Sequence, residues 1–193
     1  QVLAVDSNFA INYPTIDTTL QIITRCSVTT TSQRVCLVKV AKSDPPVALS
    51  APELSSLSGF LSDLNFAGVN YVAQSLTSDK IYIDADIYYN GQYASTISAN
   101  VIDAINAYLA AIPFDGKIKL MSLIDAIQAV TGVTDVVLKN VAIRADATAF
   151  ANKTYLVQNK TSIIPLYQMY AGYATEETTS GYTFTDTLVF IAQ

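Results

Sequence analysis

The chain has 193 residues, of which 51% are hydrophobic and 14% are charged, and its formal net charge is −5. A chain of this length can bury a core without disulfides or metals. The eleven Lys and Arg residues are scattered, so the sequence indicates neither the basic face that binds nucleic acid nor a polybasic membrane anchor. No apolar run approaches the length that crosses a bilayer, and we expect no membrane insertion.

The absence of histidine narrows the chemistry that this chain can perform. Ser-His-Asp and Cys-His nucleophiles, and the commonest general base near neutral pH, are all missing. Cys26 and Cys36 are too few for a structural zinc site. We expect both to be free, small, buried apolar groups, Cys26 near the end of a helix and Cys36 inside a strand; a disulfide or a reactive thiol is the alternative. The sequence predicts no catalytic residue, no cofactor and no metal.

The first predicted segment, residues 1–33, is a lead-in followed by a short helix. Residues 1–14 are expected to be extended and to end at Pro14. The helix is predicted from Ile16, Leu20 and Ile23, which recur at helical spacing behind a Thr15 or Asp17 cap.

The second predicted segment, 34–141, begins with a β-rich stretch and a Leu-rich helix. "VCLVKV", from Val35, favours a strand. A Pro-rich loop follows, and Ser50 is expected to cap the helix, with Pro52 in its first turn. The helix stripe consists of Leu54, Leu57, Leu61 and Leu64, with Phe60 beside it and Gly68 as the stop. This pattern predicts a helix with one buried side.

The stretch "VNYVAQSLTSDKIYIDADIYYNGQ" predicts two strands around the turn "TSDK". In the second strand, Ile81, Ile83, Ala85, Ile87 and Tyr89 alternate with Tyr82, Asp84, Asp86 and Tyr88. Successive side chains of a strand point to opposite faces, so the aspartates share a face with tyrosines. Asp84 and Asp86 have the spacing of two ligands of a hard cation, but no Gly-rich phosphate loop accompanies them, which favours a structural face over a metal site.

A turn at Asn90-Gly91 is followed by two predicted helices and a strand. The first helix carries the apolar stripe Ile97, Val101, Ile105, Leu109 and Ile112, widened by Ile102 and Tyr108. "PFDGKIK" predicts a loop or short strand. The second helix, "MSLIDAIQAV", is expected to have Ser122 as its cap, Asp125 as the capping-box partner and Gly132 past its end. "TDVVLKNVAI" then predicts a strand.

The element order of 34–141 is therefore β, α, β, β, α, α, β. Apart from the doubled second helix, this is the order of split βαβ, or ferredoxin-like, folds. The predicted class is α+β, a split βαβ sandwich whose four-stranded antiparallel sheet has helices on one face and a free opposite face.

The last predicted segment, 142–193, differs in kind. It has no helical stripe, is rich in Thr and Tyr, and has Gly172 and Gly181 at expected bends. The pattern predicts a β-rich extension, an aromatic hairpin or arm.

The stretch from residue 35 to 141 resembles the C-terminal half of baseplate J-like proteins, wedge components of contractile phage tails and related injection machines. The resemblance is carried by "VKVAK", the Leu-rich helix, "GVNYVAQS", "YLAAIPFDGKI" and, above all, "LIDAIQAVTGVTDV". It covers roughly residues 16–141, about two thirds of the chain. It implies a non-enzymatic structural subunit in the virion tail baseplate, assembled in the bacterial host cytoplasm, with other baseplate or tail subunits as partners in a homo- or hetero-oligomer.

Tyrosines offer large amphipathic contact area, and protein interfaces are enriched in them. The candidate interface residues are Tyr82, Asp84, Asp86, Tyr88, Tyr167, Tyr170, Tyr173 and Tyr182. The alternative for the tyrosines is completion of the core. The alternative functions are a surface carbohydrate- or protein-binding module, with tyrosines as stacking platforms, and a carboxylate-based hydrolase, for which no motif is present.

Overall fold

In the computed structural model, residues 4–8, 11–12, 21–32, 35–63 and 69–193 are described. They form a mixed α+β structure with about four helices and several sheets, which confirms the α+β part of the predicted class. The strands, in chain order, are β1 (Ala4–Val5), β2 (Ile11–Asn12), β3 (Ile23–Thr30), β4 (Val35–Lys42), β5 (Asn70–Gln74), β6 (Asp79–Tyr89), β7 (Lys117–Lys119), β8 (Val133–Arg144), β9 (Thr154–Gln158), β10 (Thr161–Ser162), β11 (Leu166–Gln168), β12 (Ala174–Glu176) and β13 (Leu188–Ala192). The helices of the described residues are α1 (Ala51–Asp63), α2 (Ile97–Ala111), α3 (Leu120–Gln128) and α4 (Phe184–Thr187).

A three-stranded sheet, in the order β3-β4-β5, forms the smaller body of the molecule. β3 runs antiparallel to β4, and β5 runs parallel to β4 after the crossover through α1. Val38, Val40 and Leu49 form its core, against which Leu54 and Leu57 of α1 pack half-buried. Leu61 completes that stripe, so the predicted helix is confirmed as far as Asp63. Its apolar side is half-buried rather than buried, and Phe60 is 53% exposed. Leu64 and Gly68 lie outside the described residues.

β3 corrects part of the predicted N-terminal helix. Ile23 and Cys26 were expected in or near that helix, and both lie in a strand. The sequence of β3, ITRCSVTT, is dominated by β-branched residues that favour a pleated conformation over a helix. Ile16 and Leu20, the other members of the predicted stripe, lie outside the described residues. Of the predicted extended lead-in, residues 4–5 and 11–12 form a short antiparallel ribbon, β1-β2.

The cysteines are free, but the expected burial is wrong for both of them. Cys26 is exposed and Cys36 is half-buried. In the register of the sheet, Cys26 lies opposite Val40 and Cys36 lies opposite Thr30. Cys26 lies on the edge strand β3, which explains its exposure, because α1 packs closest to β5 at the other edge.

A six-stranded sheet forms the larger body. Its order is β10-β9-β8-β6-β12, and β13 continues alongside β6 beyond β12. β6 and β8 are antiparallel, whereas β12 and β13 both run parallel to β6. The predicted alternation of β6 is confirmed, because Ile81, Ile83, Ala85 and Ile87 are fully buried. They pack in one core with α2 and α3.

The predicted stripe of α2 is confirmed, since its buried residues are Ile97, Val101, Ile105 and Leu109. The predicted cap of α3 is wrong. This helix begins at Leu120 with Lys119 at the cap position and no capping side chain, so Ser122 and Asp125 lie inside it. Leu120 is buried and its backbone N–H donates to the Pro165 carbonyl, a tertiary contact that supports an earlier start than the local capping pattern predicts.

The single four-stranded sheet of the split βαβ arrangement is not confirmed. The β, α, β, β, α, α, β order is present, with the short strand β7 added between α2 and α3. However, the pairings divide the four strands between two sheets: β4 and β5 belong to one, and β6 and β8 belong to the other. β5 and β6 therefore do not form a hairpin, and the predicted turn "TSDK" ends inside β6, where Asp79 and Lys80 are strand residues.

The last segment is β-rich, as predicted, but it is not a detached hairpin or arm. β9, β12 and β13 all add to the six-stranded sheet. Leu156, Met169 and Phe184 are almost completely buried in the same core as β6. Gly172 and Gly181 occupy bends and have φ of +94° and +81°, which glycine adopts readily.

Candidate interaction surface

The sheet face opposite α2 and α3 carries the tyrosines and aspartates of β6. We call it the open face, and its defining side chains are Tyr82, Asp84, Asp86, Tyr88, Lys139, Asn140 and Val189. The β6 residues among them are half-buried. They alternate along the strand with buried residues that point to the other face of the sheet. Val189 of β13 lies opposite Asp86 and is 45% exposed. The open face is therefore a well-packed surface with an apolar residue at its margin.

A β-bulge in β8 places Lys139 on the open face. Asp84 lies opposite Asn140, but the next residue, Ala85, lies opposite Leu138, so Lys139 is the extra residue. A bulge re-aims a side chain that strict alternation would send to the other face. Lys139 and Asn140 consequently both reach the aspartates, whereas Leu138 and Val141 point into the core.

Lys139 joins the two aspartates into one ion-pair cluster. Its ammonium nitrogen lies 2.9 Å from a carboxylate oxygen of Asp84 and 2.9 Å from one of Asp86. The Asn140 amide also donates to Asp84, at 2.9 Å. The bonds to Asp84 and Asp86 raise the pKa of Lys139. The two carboxylates thus share a lysine partner within the chain, which occupies the place between them that a cation would take.

Three rings form an aromatic cluster beside the ion pairs. Tyr82 lies edge-on to Phe150 and to Tyr182, with centroid separations of 5.9 and 5.6 Å, and Phe150 and Tyr182 are 4.1 Å apart. The Lys153 ammonium lies 3.9 Å from the centre of the Phe150 ring. Such pairs contribute about 0.5–1.5 kcal/mol each beyond the area that they bury. Burial, and then the charge of Asp84, raise the pKa of Tyr82.

The eight predicted interface residues separate into two groups. Tyr82, Asp84, Asp86 and Tyr88 share the open face, and Tyr182 joins them through the aromatic cluster. The other three tyrosines, Tyr167, Tyr170 and Tyr173, lie around Asp79 at the start of β6. Of these, Tyr170 is 55% exposed.

Asp79 is a buried carboxylate that organises the second group. It is 1% exposed, and its oxygens accept the backbone N–H groups of Tyr170 and Ala171. Burial raises the pKa of Asp79 to about 6, against the lowering effects of those two N–H groups and of Lys39. The Asp79 backbone N–H also donates to the Tyr173 carbonyl. One residue therefore fixes both ends of the 170–173 turn.

A polar network joins the two sheets next to this turn. The Lys39 ammonium of β4 lies 2.8 Å from the Asp115 carboxylate, and the Ser27 hydroxyl of β3 donates to its other oxygen. Asp115 has a positive φ of 60°, and its backbone N–H donates to the Gly172 carbonyl. Tyr173 stacks on Phe114 at 6.3 Å. The smaller sheet is thereby anchored to the loop that Asp79 holds.

A second buried ion pair is structural. Arg144 binds Glu177 with two parallel bonds of 2.7 Å, and Glu177 is 1% exposed. The bonds from Arg144 and Thr179 outweigh desolvation and hold the pKa of Glu177 at about 2. The same guanidinium donates to the carbonyls of Asp146 and Thr148. The pair ties β8 to the chain that follows β12.

The charged groups described above form ion pairs and hydrogen bonds within the protein. Within the described ranges, no three Cys, Asp or Glu side chains gather into a group that could hold a metal ion. Asp84 and Asp86 are paired with Lys139, and Glu177 is paired with Arg144. The open face instead presents aromatic rings, an exposed aliphatic residue and charged groups that could also contact a partner protein. These are features of protein interfaces.

Sequence reasoning missed Lys139, Asn140, Phe150 and Asp79. The two consecutive polar residues in "VVLKNVAI" interrupt the β alternation, and this interruption is a signal for a bulge. Phe150 follows β8 and reaches Tyr82 through a short 3₁₀ turn. The sequence predicts Asp79 in the turn "TSDK", because its sequence neighbours give no indication that it is buried.

A scan against models of protein families finds no match to this chain, and a search of curated proteins finds none either. No helix in the described part of the chain is both long and apolar enough to span a membrane. The similarity to baseplate J-like proteins therefore stays a prediction from the sequence motifs.

Proposed function

We propose that this chain is a non-enzymatic structural subunit of a phage-tail-like baseplate and assembles through protein-protein contacts with copies of itself or with other tail subunits. We propose the virion tail as the location of the protein. Both parts of the proposal follow from the resemblance of residues 35–141 to baseplate J-like proteins. The β, α, β, β, α, α, β element order of this region is present, with its strands divided between two sheets.

The observation that carries the proposal is the composition of the open face. Its ionic groups are held in fixed positions by Lys139, its rings are packed against each other, and Val189 adds exposed apolar area beside Asp86. A pre-organised surface loses little side-chain entropy on binding, so its contacts contribute more to affinity. Aromatic residues surrounded by polar groups are typical of the residues that dominate binding energy at interfaces.

The test is assembly with and without a charge placed on this face. Size-exclusion chromatography with light scattering, over a concentration series and after mixing with tail proteins encoded beside this chain, measures the complexes formed. We expect Val189→Glu, which adds a third carboxylate next to Asp86, to weaken association about tenfold or more. Met121→Glu is the control, because Met121 is also apolar and exposed, at 68% against 45% for Val189, but lies on α3.

Two outcomes would contradict the proposal. One is a chain that stays monomeric at every concentration and in every mixture. The other is association that Val189→Glu and Met121→Glu alter equally. A monomer that binds glycans on an array would instead support the carbohydrate-binding alternative, for which Tyr170 provides the most exposed ring among the candidate tyrosines.

A further inference from the structure

A mainly apolar cavity lies between the smaller sheet and the larger body. Its volume is about 270 Å³, enough for one or two large side chains. Pro45 and Pro46 line it from the smaller body, Leu109 and Ile112 from α2 and the residues after it, and Phe114 from the loop that follows. Tyr173 extends the same wall. The cavity is smaller than typical sites for cofactors, so a side chain of another polypeptide fits it better.

The cavity borders the strand β12. Ala174 and Thr175 of this strand belong to its lining. Within the described residues, β12 pairs with β6 and has no strand on its other side. An extended segment that lies along such an edge gains backbone hydrogen bonds, while pockets beside the edge select its side chains.

Among the described residues, two cations near β12 lack strong anionic partners. The Lys80 ammonium donates to the hydroxyls of Thr175, at 3.0 Å, and Ser78, at 3.2 Å, and among the described residues no carboxylate forms an ion pair with it. On the opposite wall, Arg25 pairs at 3.3 Å with Asp44, whose side chain is 78% exposed. An exposed pair of this kind contributes little and is readily exchanged. In a chain with a net charge of −5, these cations are complementary to a carboxylate.

We propose that the groove along β12 binds an extended segment of a partner protein in which a carboxylate neighbours a large apolar side chain. The carboxylate meets Lys80 and Arg25. The apolar side chain enters the cavity between Pro46, Ile112 and Phe114, and the backbone of the segment pairs with β12. This inference rests on the proposed function only for the identity of the partner, which would be another tail subunit.

The experiment selects binders from a phage-displayed library of random dodecapeptides on the full chain and measures synthetic copies by fluorescence polarisation. We expect the selected sequences to share an Asp or Glu beside a large apolar residue. Ala110→Phe fills the cavity from an exposed position of α2, and Lys80→Glu reverses the charge at the edge. Each change should weaken binding at least tenfold.

Two control variants match these changes in size and charge. Ala107→Phe alters an exposed alanine on the same helix, outside the cavity, and Lys117→Glu reverses an exposed lysine elsewhere. Both should bind the peptides as the unchanged protein does. A measurement that needs no variant supplements them: on titration with the peptide, the amide resonances of Ile112 and Thr175 should shift the most.

The proposal is overturned if no peptides are selected, if the selected peptides lack an acidic residue, or if they bind the Ala110→Phe and Lys80→Glu proteins with unchanged affinity. If either variant fails to fold, the amide shifts of the unchanged protein test the proposal instead. Peptide selection does not require any tail protein. A groove that binds acidic-apolar peptides in a chain that fails to assemble would reject the proposed function alone, and assembly without peptide binding would reject the groove alone.

Discussion

At the scale of single residues, burial has opposite consequences for the carboxylates of this chain. Glu177 is as buried as Asp79, yet Arg144 holds its pKa at about 2. Within the described part of the chain, the hydrogen-bond donors to the Asp79 carboxylate are backbone N–H groups, and its pKa rises to about 6. A guanidinium offers full charge and two parallel bonds. Two amide groups offset only part of the desolvation cost.

The raised pKa of Asp79 predicts a pH-dependent stability. The folded pKa of about 6 exceeds the ordinary value of 3.8, so the contribution of Asp79 is complete below about pH 4 and is lost as the pH rises through 6. The total change is on the order of 2–3 kcal/mol. Urea unfolding at several pH values between 4 and 7 should show this loss in the unchanged protein and a flatter profile for Asp79→Asn.

The groups around Asp79 define the control for this prediction. Lys39 and the two N–H groups favour its ionised form, while the Tyr167 and Tyr173 hydroxyls are neutral throughout this pH range. Asp103→Asn removes an exposed carboxylate of α2 and should leave the profile unchanged. If Asp79→Asn retains the full slope between pH 4 and 7, Asp79 does not titrate as described.

At the scale of elements, the bulge of β8 decides what the open face presents. One extra residue in a strand of twelve brings an ammonium between two carboxylates that would otherwise repel each other. Regular pairing would send Lys139 and Asn140 to opposite faces, and one of them would enter the aliphatic core. The Asn159-Lys160 turn supports the bulge, because the Lys160 N–H donates to the Lys139 carbonyl.

Removal of the bulge lysine should destabilise the sheet through the aspartates. Lys139→Met leaves Asp84 and Asp86 facing each other without a cation, and we expect a loss of about 1–2 kcal/mol after allowance for solvent screening. Adding Asp86→Asn to this variant should recover most of the loss, since one carboxylate no longer repels the other. Thermal and urea unfolding at pH 7 measure both effects.

A matched substitution separates charge from hydrophobicity in this test. Lys117→Met introduces the same side chain at an exposed position outside the cluster and should change stability by less than about 0.5 kcal/mol. Equal losses in Lys139→Met and in the Lys139→Met, Asp86→Asn double variant would show that repulsion is not the cause.

At the scale of the whole molecule, the last forty residues complete the core of the larger body. β6 is flanked on one side by β8, most of which lies in the resemblance region, and on the other side by β12 and β13 of the C-terminal segment. Phe184 and Met169 fill the same core as α2. The division of the chain at residue 141 stays a prediction from composition. Buried residues of 154–192 and of β6 belong to the same hydrophobic core.

A chain that ends after residue 153 should therefore fail to fold cooperatively. It would lack β9 to β13 and expose the buried side of β6, which costs several kcal/mol in apolar burial. Circular dichroism during thermal unfolding should show no sharp transition for 1–153 alone. Mixing it with a 154–193 peptide should restore one. A cooperative transition of 1–153 at the full-length midpoint would instead establish that the C-terminal segment is dispensable for folding.

The faces of the regular elements follow from the order of the residues alone. The period of two in β6 separated Ile81 and Ile83 from Asp84 and Asp86 correctly, and the period near 3.6 in α2 identified its buried stripe. These assignments depend on local geometry. The direction of the side chains repeats with a fixed period within one helix or strand, so neighbouring residues in the sequence are enough to reveal it.

The pairing of the strands, the direction of the Lys139 side chain and the burial of Asp79 depend on contacts between distant parts of the chain. β12 is nearly a hundred residues from β6 in the sequence, and their pairing rests on backbone hydrogen bonds that any residue types can make. Asp79 is buried because the distant 170–173 turn supplies its donors. Such non-local contacts leave no periodic pattern in the sequence. The sequence therefore predicts which residues of β6 share the open face. It does not predict the ion-pair cluster on that face or the groove along β12.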